Sequence, residues 1–166
     1  MQRMTAPDST RQADLAIVGG GAAGALVALN ALRSASAALH VVLFEPASTP
    51  GQGIAYATPW PEHLLNVPAG KMTGLPDQPG DFLDFLLQAD AVPGVSRAEL
   101  ADTFVARRHY AAYLQQRLEQ AQAQSPARLQ VVHEAVVALH PKASLNVLEL
   151  ADGSSWQARR VVLACG

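Results

Sequence analysis

Apolar residues follow several different rhythms along this chain, and each rhythm predicts a different element. Asp14–Val18 is a short, nearly continuous apolar run closed by Gly19, Gly20 and Gly21, the pattern of a central strand buried on both faces. The alanine-rich stretch from Ala22 to Arg33 predicts a helix, with Ala23, Leu26, Val27 and Asn30 on one side. His40–Glu45 is a second buried strand, ended by Pro46, which has no donor for a ladder. Strand, helix and strand in this order make a βαβ unit. From Pro46 to Pro79 the chain is dense in Pro and Gly without a sustained period, and predicts a long ordered loop. Phe82, Phe85 and Leu86 mark a short helix with Asp81 in position to cap it. Ser96-Arg97-Ala98-Glu99 has capping-box spacing, and Tyr110, Tyr113, Leu114, Arg117, Leu118 and Ala121 follow helical spacing, so a long amphipathic helix is expected there. The rhythm then shortens. Leu129–Leu139, Leu145–Leu150 and, after an Asp152-Gly153 turn, Val161–Leu163 predict three short strands.

These elements fit one domain, since a chain of 166 residues buries about 70% of its unfolded surface. The first thirteen residues are polar and aperiodic and are expected to be a flexible leader, not a secretory signal. A net charge of −2 with no basic cluster gives no footprint for nucleic acid or an anionic membrane. No apolar run reaches the roughly 18 residues of a membrane span, so neither partner is expected. Cys165 is the single cysteine, which rules out an internal disulfide and a thiolate metal cluster and agrees with a cytoplasmic setting.

The chemistry concentrates where the first strand meets the first helix. Gly19-Gly20-Gly21-Ala22-Ala23-Gly24 fits GxGxxG in the context that gives the pattern meaning. Gly19 allows the tight turn, Gly21 admits a pyrophosphate close to the backbone, and Gly24 lets the helix lie near the strand. The start of the helix offers free N–H donors and a positive dipole end. Glu45, 21 residues after Gly24, ends the second strand where a carboxylate accepts bonds from both ribose hydroxyls and repels a 2′-phosphate. Neither a Ser-His-Asp order, HExxH nor a Walker lysine is present, so hydrolysis and phosphoryl transfer lack support. His63 stands alone, without a partner at metal-ligand spacing. The glycine pattern serves NAD and FAD alike and leaves three readings open: a flavoprotein domain, an NAD-dependent dehydrogenase domain without flavin, and a nucleotide-binding module without catalysis.

The order that follows the second strand resembles the FAD domain of glutathione-reductase-like flavoproteins, where a β-meander precedes a returning strand ending Ala-Thr-Gly. Cys165 occupies the Thr position in Ala164-Cys165-Gly166. Gly51-Gln52-Gly53-Ile54-Ala55-Tyr56-Ala57-Thr58 together with His63-Leu64-Leu65-Asn66-Val67-Pro68-Ala69 is similar to the bacterial FAD-NAD(P)-binding family that includes a flavin-dependent urate hydroxylase and an aspartate N-monooxygenase. Phe104–Leu114 resembles that family's Phe-x-Pro-Arg-x-x-Tyr-Gly-x-Tyr-Leu, with Ala106 and Ala111 in place of Pro and Gly. The resemblance spans Asp14 to Gly166. It implies an α/β, Rossmann-like FAD-binding domain with a central parallel sheet, flanking helices and a small three-stranded β-meander, over residues 14–166.

The same resemblance implies FAD as cofactor, with NAD(P)H as co-substrate of a longer parent that hydroxylates a small polar metabolite. The chain would then stop before an NAD(P)-binding domain and bind FAD without turnover. Gly21, Ala22 and Ala23 would meet the pyrophosphate, Glu45 the adenosine ribose and the backbone near Val136 the adenine, with Gly19, Gly24, Pro46 and Gly53 also among the cofactor-binding positions. Arg107 would add a bidentate contact to the phosphates, or would be a surface arginine on an amphipathic helix. Cys165 and Gly166 would lie at a second close approach to the cofactor, with Cys165 otherwise a small buried packing residue. The loop from Gly53 to Met72 would cover the flavin ring through Asn66, Lys71 and Met72. Those three residue types equally suit a turn, a solvated cation and a core position.

Overall fold

The computed structural model describes residues 11–47 and 49–166. β1 (Arg11–Val18) and β2 (His40–Phe44) flank α1 (Ala22–Ser34), and form the expected βαβ unit. β1 begins at Arg11, so Arg11, Gln12 and Ala13 belong to a strand where a leader was expected; the rest of that leader lies outside the described residues. Along α1 the buried residues are Ala25, Ala28, Leu29 and Leu32. The helix is therefore turned from the expected face, and Ala23 and Asn30 are exposed. Alanine-rich helices carry little contrast between their sides, and the sheet decides which side is covered.

Only two short helical pieces interrupt the loop after Pro46: α2 (Gly53–Tyr56) and a single 3-10 turn, Ala69–Lys71. Then follow α3 (Asp81–Gln88), α4 (Arg97–Ala101) and α5 (Arg107–Gln124). The capping box at Ser96 is present, with Glu99 reaching back to the Ser96 N–H at 3.0 Å, but it starts only the five-residue α4. The expected single long helix is broken at residues 102–106. There Val105 is drawn into the core and its carbonyl accepts the Leu65 N–H at 2.8 Å, a pairing that requires extended backbone. Asp81 does not cap α3. The N-cap is Gly80, and Asp81 instead accepts two bonds from Arg117, at 2.6 and 2.8 Å.

The C-terminal segment holds four strands, not three: β3 (Arg128–Val132), β4 (Val136–His140), β5 (Asn146–Leu150) and β6 (Ser155–Leu163). The apolar and β-branched stretch from Leu129 to Leu139 breaks at residues 133–135, where His133 and Glu134 interrupt it, and β3 leaves the meander to pair with β2. All six strands form one sheet in the order β3-β2-β1-β6-β5-β4. The β3-β2-β1-β6 half is parallel and the β6-β5-β4 half antiparallel. β6 serves both, because Ser155–Ala158 pair with β5 while its length from Trp156 to Leu163 pairs with β1.

The two faces of the parallel half are covered by different means. Ile17, Val41 and Leu43 pack with Ala28, Leu29 and Leu32 of α1 and with Leu118 and Ala121 of α5. Val42 and Phe44 point the other way by strand alternation. They are buried in a cluster with Leu148, Leu150 and Trp156 that contains no helical residue. The antiparallel half must therefore curl over that face. A third cluster joins α3, α4 and α5 to the loop through Leu65, Phe82, Leu100, Tyr110 and Tyr113.

The Arg117–Asp81 pair fastens α3 to α5 with side chains only 10% and 11% exposed, and the guanidinium lies 5.2 Å from the Tyr113 ring centre. Removing one partner strands a nearly buried charge. Arg117→Met is expected to cost about 3 kcal/mol in urea denaturation, whereas Arg97→Met, which frees the exposed Asp84, is expected to cost under about 1 kcal/mol.

Candidate nucleotide-binding site

Three segments converge at the end of β1. Gly19 has φ +100°, and a side chain there would meet the Ala164 carbonyl carbon at 2.8 Å. Gly24 is pressed against the Gly19 carbonyl, so that a methyl group would overlap it. The Gly19 N–H donates to Phe44 at 2.9 Å and the Ala164 N–H to Val18 at 2.7 Å, which ties the turn to β2 and to the end of β6.

Gly21 is different. It has ordinary extended backbone at φ −62°, and a Cβ would meet only the Gly53 Cα, at 3.7 Å. Neither its conformation nor protein packing requires glycine there. The space beside it is room that a ligand would use, and α1 begins at that point without a side-chain cap. Among the described residues, the N–H groups of Gly21, Ala22 and Ala23 have no acceptor. A pyrophosphate fits this donor set, and the residues present suit the cofactor that the motif implies.

Glu45 is 8% exposed and faces the same turn. One carboxylate oxygen accepts the Gly20 N–H at 2.8 Å and the other the Ala47 N–H at 3.1 Å. A carboxylate offers about four acceptor sites, so two remain for ribose hydroxyls. Pro46 is exposed beside it. The His133 Nδ1–H donates to the Glu45 carbonyl at 3.0 Å, which ties the β3–β4 connection to the end of β2; Val136 at the start of β4 is half-buried.

The long loop reaches the turn as well. The Gly51 N–H donates to the Gly20 carbonyl at 2.8 Å, and a Cβ on Gly53 would stand 2.9 Å from the Gly21 Cα. Gly20, Gly51 and His133 are contributors that sequence reasoning missed. The first lies inside the motif, but the other two become neighbours only through folding. The His63 Nδ1 pairs with the Thr58 hydroxyl across a Pro-Trp-Pro turn.

The remaining candidates sit elsewhere. No hydrogen bond joins Asn66, Met72 or Arg107 to the glycine turn. The Arg107 Nε donates to the Leu64 carbonyl at 2.9 Å, and its terminal nitrogens have no partner among the described residues. Arg107, Arg108 and His109 fill the first turn of α5, where cations oppose the helix dipole and no acid offsets them. Burial, then the neighbouring Arg108, hold the His109 imidazole below its ordinary pKa, so it is neutral at pH 7 and the two arginines supply the charge. Asn66 and Lys71 are exposed, and Met72 is half-buried against the helical core. Cys165 is exposed, which corrects the expectation of a buried packing thiol; its backbone stands behind Gly19. Gly166 has φ +89° and open space around it.

The sequence profile of the FAD-NAD(P)-binding family matches residues 16–166. The chain belongs to that family. This FAD-NAD(P)-binding domain is similar in fold to a flavin-containing monooxygenase from Stenotrophomonas maltophilia, with TM-score 0.62 and 24% identity over 93% of this chain. It is similar also to a cyclohexanone monooxygenase from Rhodococcus sp. Phi1 bound to NADP+, with TM-score 0.64 and 21% identity over 94% of this chain. An ornithine N-hydroxylase from Kutzneria sp. 744 gives TM-score 0.64 and 22% identity over 93% of this chain. The chain spans 38%, 26% and 37% of these three proteins, respectively. No curated protein matches the sequence. Among the described residues no helix is long and apolar enough to cross a membrane, and no group of three His, Cys, Asp or Glu could hold a metal.

The contrast between the glycines gives a test. Gly21→Ala is expected to keep stability within about 1 kcal/mol of wild type, the scale of an N-cap change, and to weaken nucleotide binding at least about tenfold. Gly24→Ala should lose both, read by thermal melting and by ligand titration. Equal loss of stability in the two variants would remove the ligand argument for Gly21.

Proposed function

We propose that this domain holds FAD for an NAD(P)H-dependent monooxygenase that hydroxylates a small polar metabolite. The observation that carries the reading is the open space at Gly21 beside three unpaired N–H donors, with Glu45 turned to the same point. In it, Gly21, Ala22 and Ala23 bind the pyrophosphate on the turn that Gly19 and Gly24 make possible, Glu45 binds the ribose beside Pro46, and the backbone at Val136 meets the adenine. The free end of Arg107 adds positive charge toward the phosphates, and Cys165 and Gly166 lie along the cofactor beyond the turn. Asn66, Lys71 and Met72 border the flavin ring, on the part of the loop that starts at Gly53.

FAD held by these residues would supply the redox chemistry between NAD(P)H and oxygen. This chain's residues bind and orient it and limit access of water. The chain spans 38%, 26% and 37% of the three monooxygenases, and the part proposed for this domain is to hold FAD, with turnover a property of the whole protein. A cytoplasmic protein acting on a metabolite, without nucleic acid or membrane partners, is the setting proposed.

The test is a visible spectrum of the purified chain, taken after incubation with FAD and desalting. A retained two-banded yellow spectrum is expected, and a colourless protein stabilised by NAD instead would replace the flavin reading with a dehydrogenase one. Arg107→Ala is expected to raise the Kd for FAD about tenfold, with a weaker salt dependence than wild type. An unchanged Kd would return Arg107 to a surface role.

A further inference from the structure

Residues 64–74 are held at both ends by one stretch of chain, residues 103–113. At the near end, Leu65 N–H donates to Val105 O at 2.8 Å, Ala69 N–H to Thr103 O at 2.9 Å and Arg107 N–H to His63 O at 2.9 Å. Leu64 bridges to Ala106 in antiparallel fashion. Leu65 and Val105 are each 3% exposed, so one face of this short ribbon enters the core while Leu64, Asn66 and Phe104 lie on the other, outward side.

At the far end, two tyrosine hydroxyls take consecutive backbone groups. Tyr110 OH donates to the Thr73 carbonyl at 3.2 Å, and Tyr113 OH accepts the Gly74 N–H at 2.9 Å. Both rings are buried, at 4% and 0% exposure, and meet Phe82 and Phe85 in edge-on and tilted contacts. A Cβ on Gly74 would stand 3.2 Å from the Tyr113 ring, so the backbone is seated directly on it. Burial keeps both phenols protonated well above neutral pH.

From this arrangement we infer that Tyr110 and Tyr113 are positioning residues for the flavin half of the cofactor, acting through the backbone of Thr73 and Gly74 on the segment that carries Asn66, Lys71 and Met72. The inference rests on the FAD reading above. The glycine turn and Glu45 do not depend on these hydroxyls, since neither makes a hydrogen bond to residues 73–74. Ala22 and Leu26 of α1 pack on the same tyrosine cluster, so the two halves of the cofactor are distinguished by the hydroxyls and not by the rings.

The experiment compares FAD with ADP on the whole chain, using wild type, Tyr113→Phe and Tyr110→Phe, with FAD followed by fluorescence and ADP by calorimetry. Each substitution deletes one hydroxyl and keeps the ring. The expected result is a Kd for FAD raised about tenfold, the size of one lost buried hydrogen bond, with the Kd for ADP unchanged and an altered visible circular dichroism of the bound flavin. Equal weakening of both ligands would mean general loosening of the fold and overturn the inference, as would no change in either. Wild type that binds ADP but FAD no more tightly would overturn it while leaving the nucleotide site intact. A wild type that binds neither ligand removes the FAD reading itself, and this inference with it.

Discussion

At the carboxyl end of β1, three backbones meet with no side chain between them. The first turn of α1 rests on the Gly19 carbonyl through Gly24, Gly19 itself rests on Ala164 at the end of β6, and β2 closes the other side through Phe44 and Glu45. Nearly every later element takes its place from this junction. The angle at which α1 leaves the strand decides that Ala25, Ala28, Leu29 and Leu32 meet the sheet. α5 then packs across α1, and the loop that follows β2 returns to the turn at Gly51 because Leu114 and Ala111 of α5 close in behind it. Bulk at Gly19 or Gly24 would displace the helix, the returning strand and the loop together.

Glu45 extends this economy to charge. Its carboxylate is buried where an unpaired anion would be strongly disfavoured, and two backbone N–H groups satisfy half of its acceptors. One of those donors belongs to the glycine turn. The acid therefore braces the glycine turn while keeping lone pairs free, and on the proposed reading a dinucleotide would meet a surface already fixed by a single interaction.

The parts that sequence made legible are those whose reasons are local. The glycine turn, its flanking strand and helix, and the terminal acid depend on neighbours within one βαβ unit, and the spacing from Gly19 to Glu45 carries them. The Ser96–Glu99 box is equally local and formed as written, although nothing in it could say that its helix would stop five residues later. Where the reason is distant, pattern misled. Asp81 has the spacing of a cap, yet Arg117, 36 residues away, takes both of its oxygens. The apolar run through Leu129 and Leu139 holds a break with no glycine or proline, so two strands with different partners look like one. Cys165 resembles a core residue by size, but it is exposed, its backbone is what the turn requires and its thiol donates to the Val18 carbonyl at 3.7 Å. The tyrosines at 110 and 113 were visible as a helix face, whereas their grip on Thr73 and Gly74 was not.

β6 belongs to both halves of the sheet, and its partner in the parallel half is the strand that comes first. Ile17 pairs with Val162 across 144 residues of intervening chain. During synthesis β1 leaves the ribosome early with Ala16 and Ile17 on one open edge, and that edge finds its second neighbour only after Leu163 has emerged. Such late closure of a central strand raises the contact order and prolongs exposure of an unpaired apolar edge, the condition under which nascent chains depend most on chaperones.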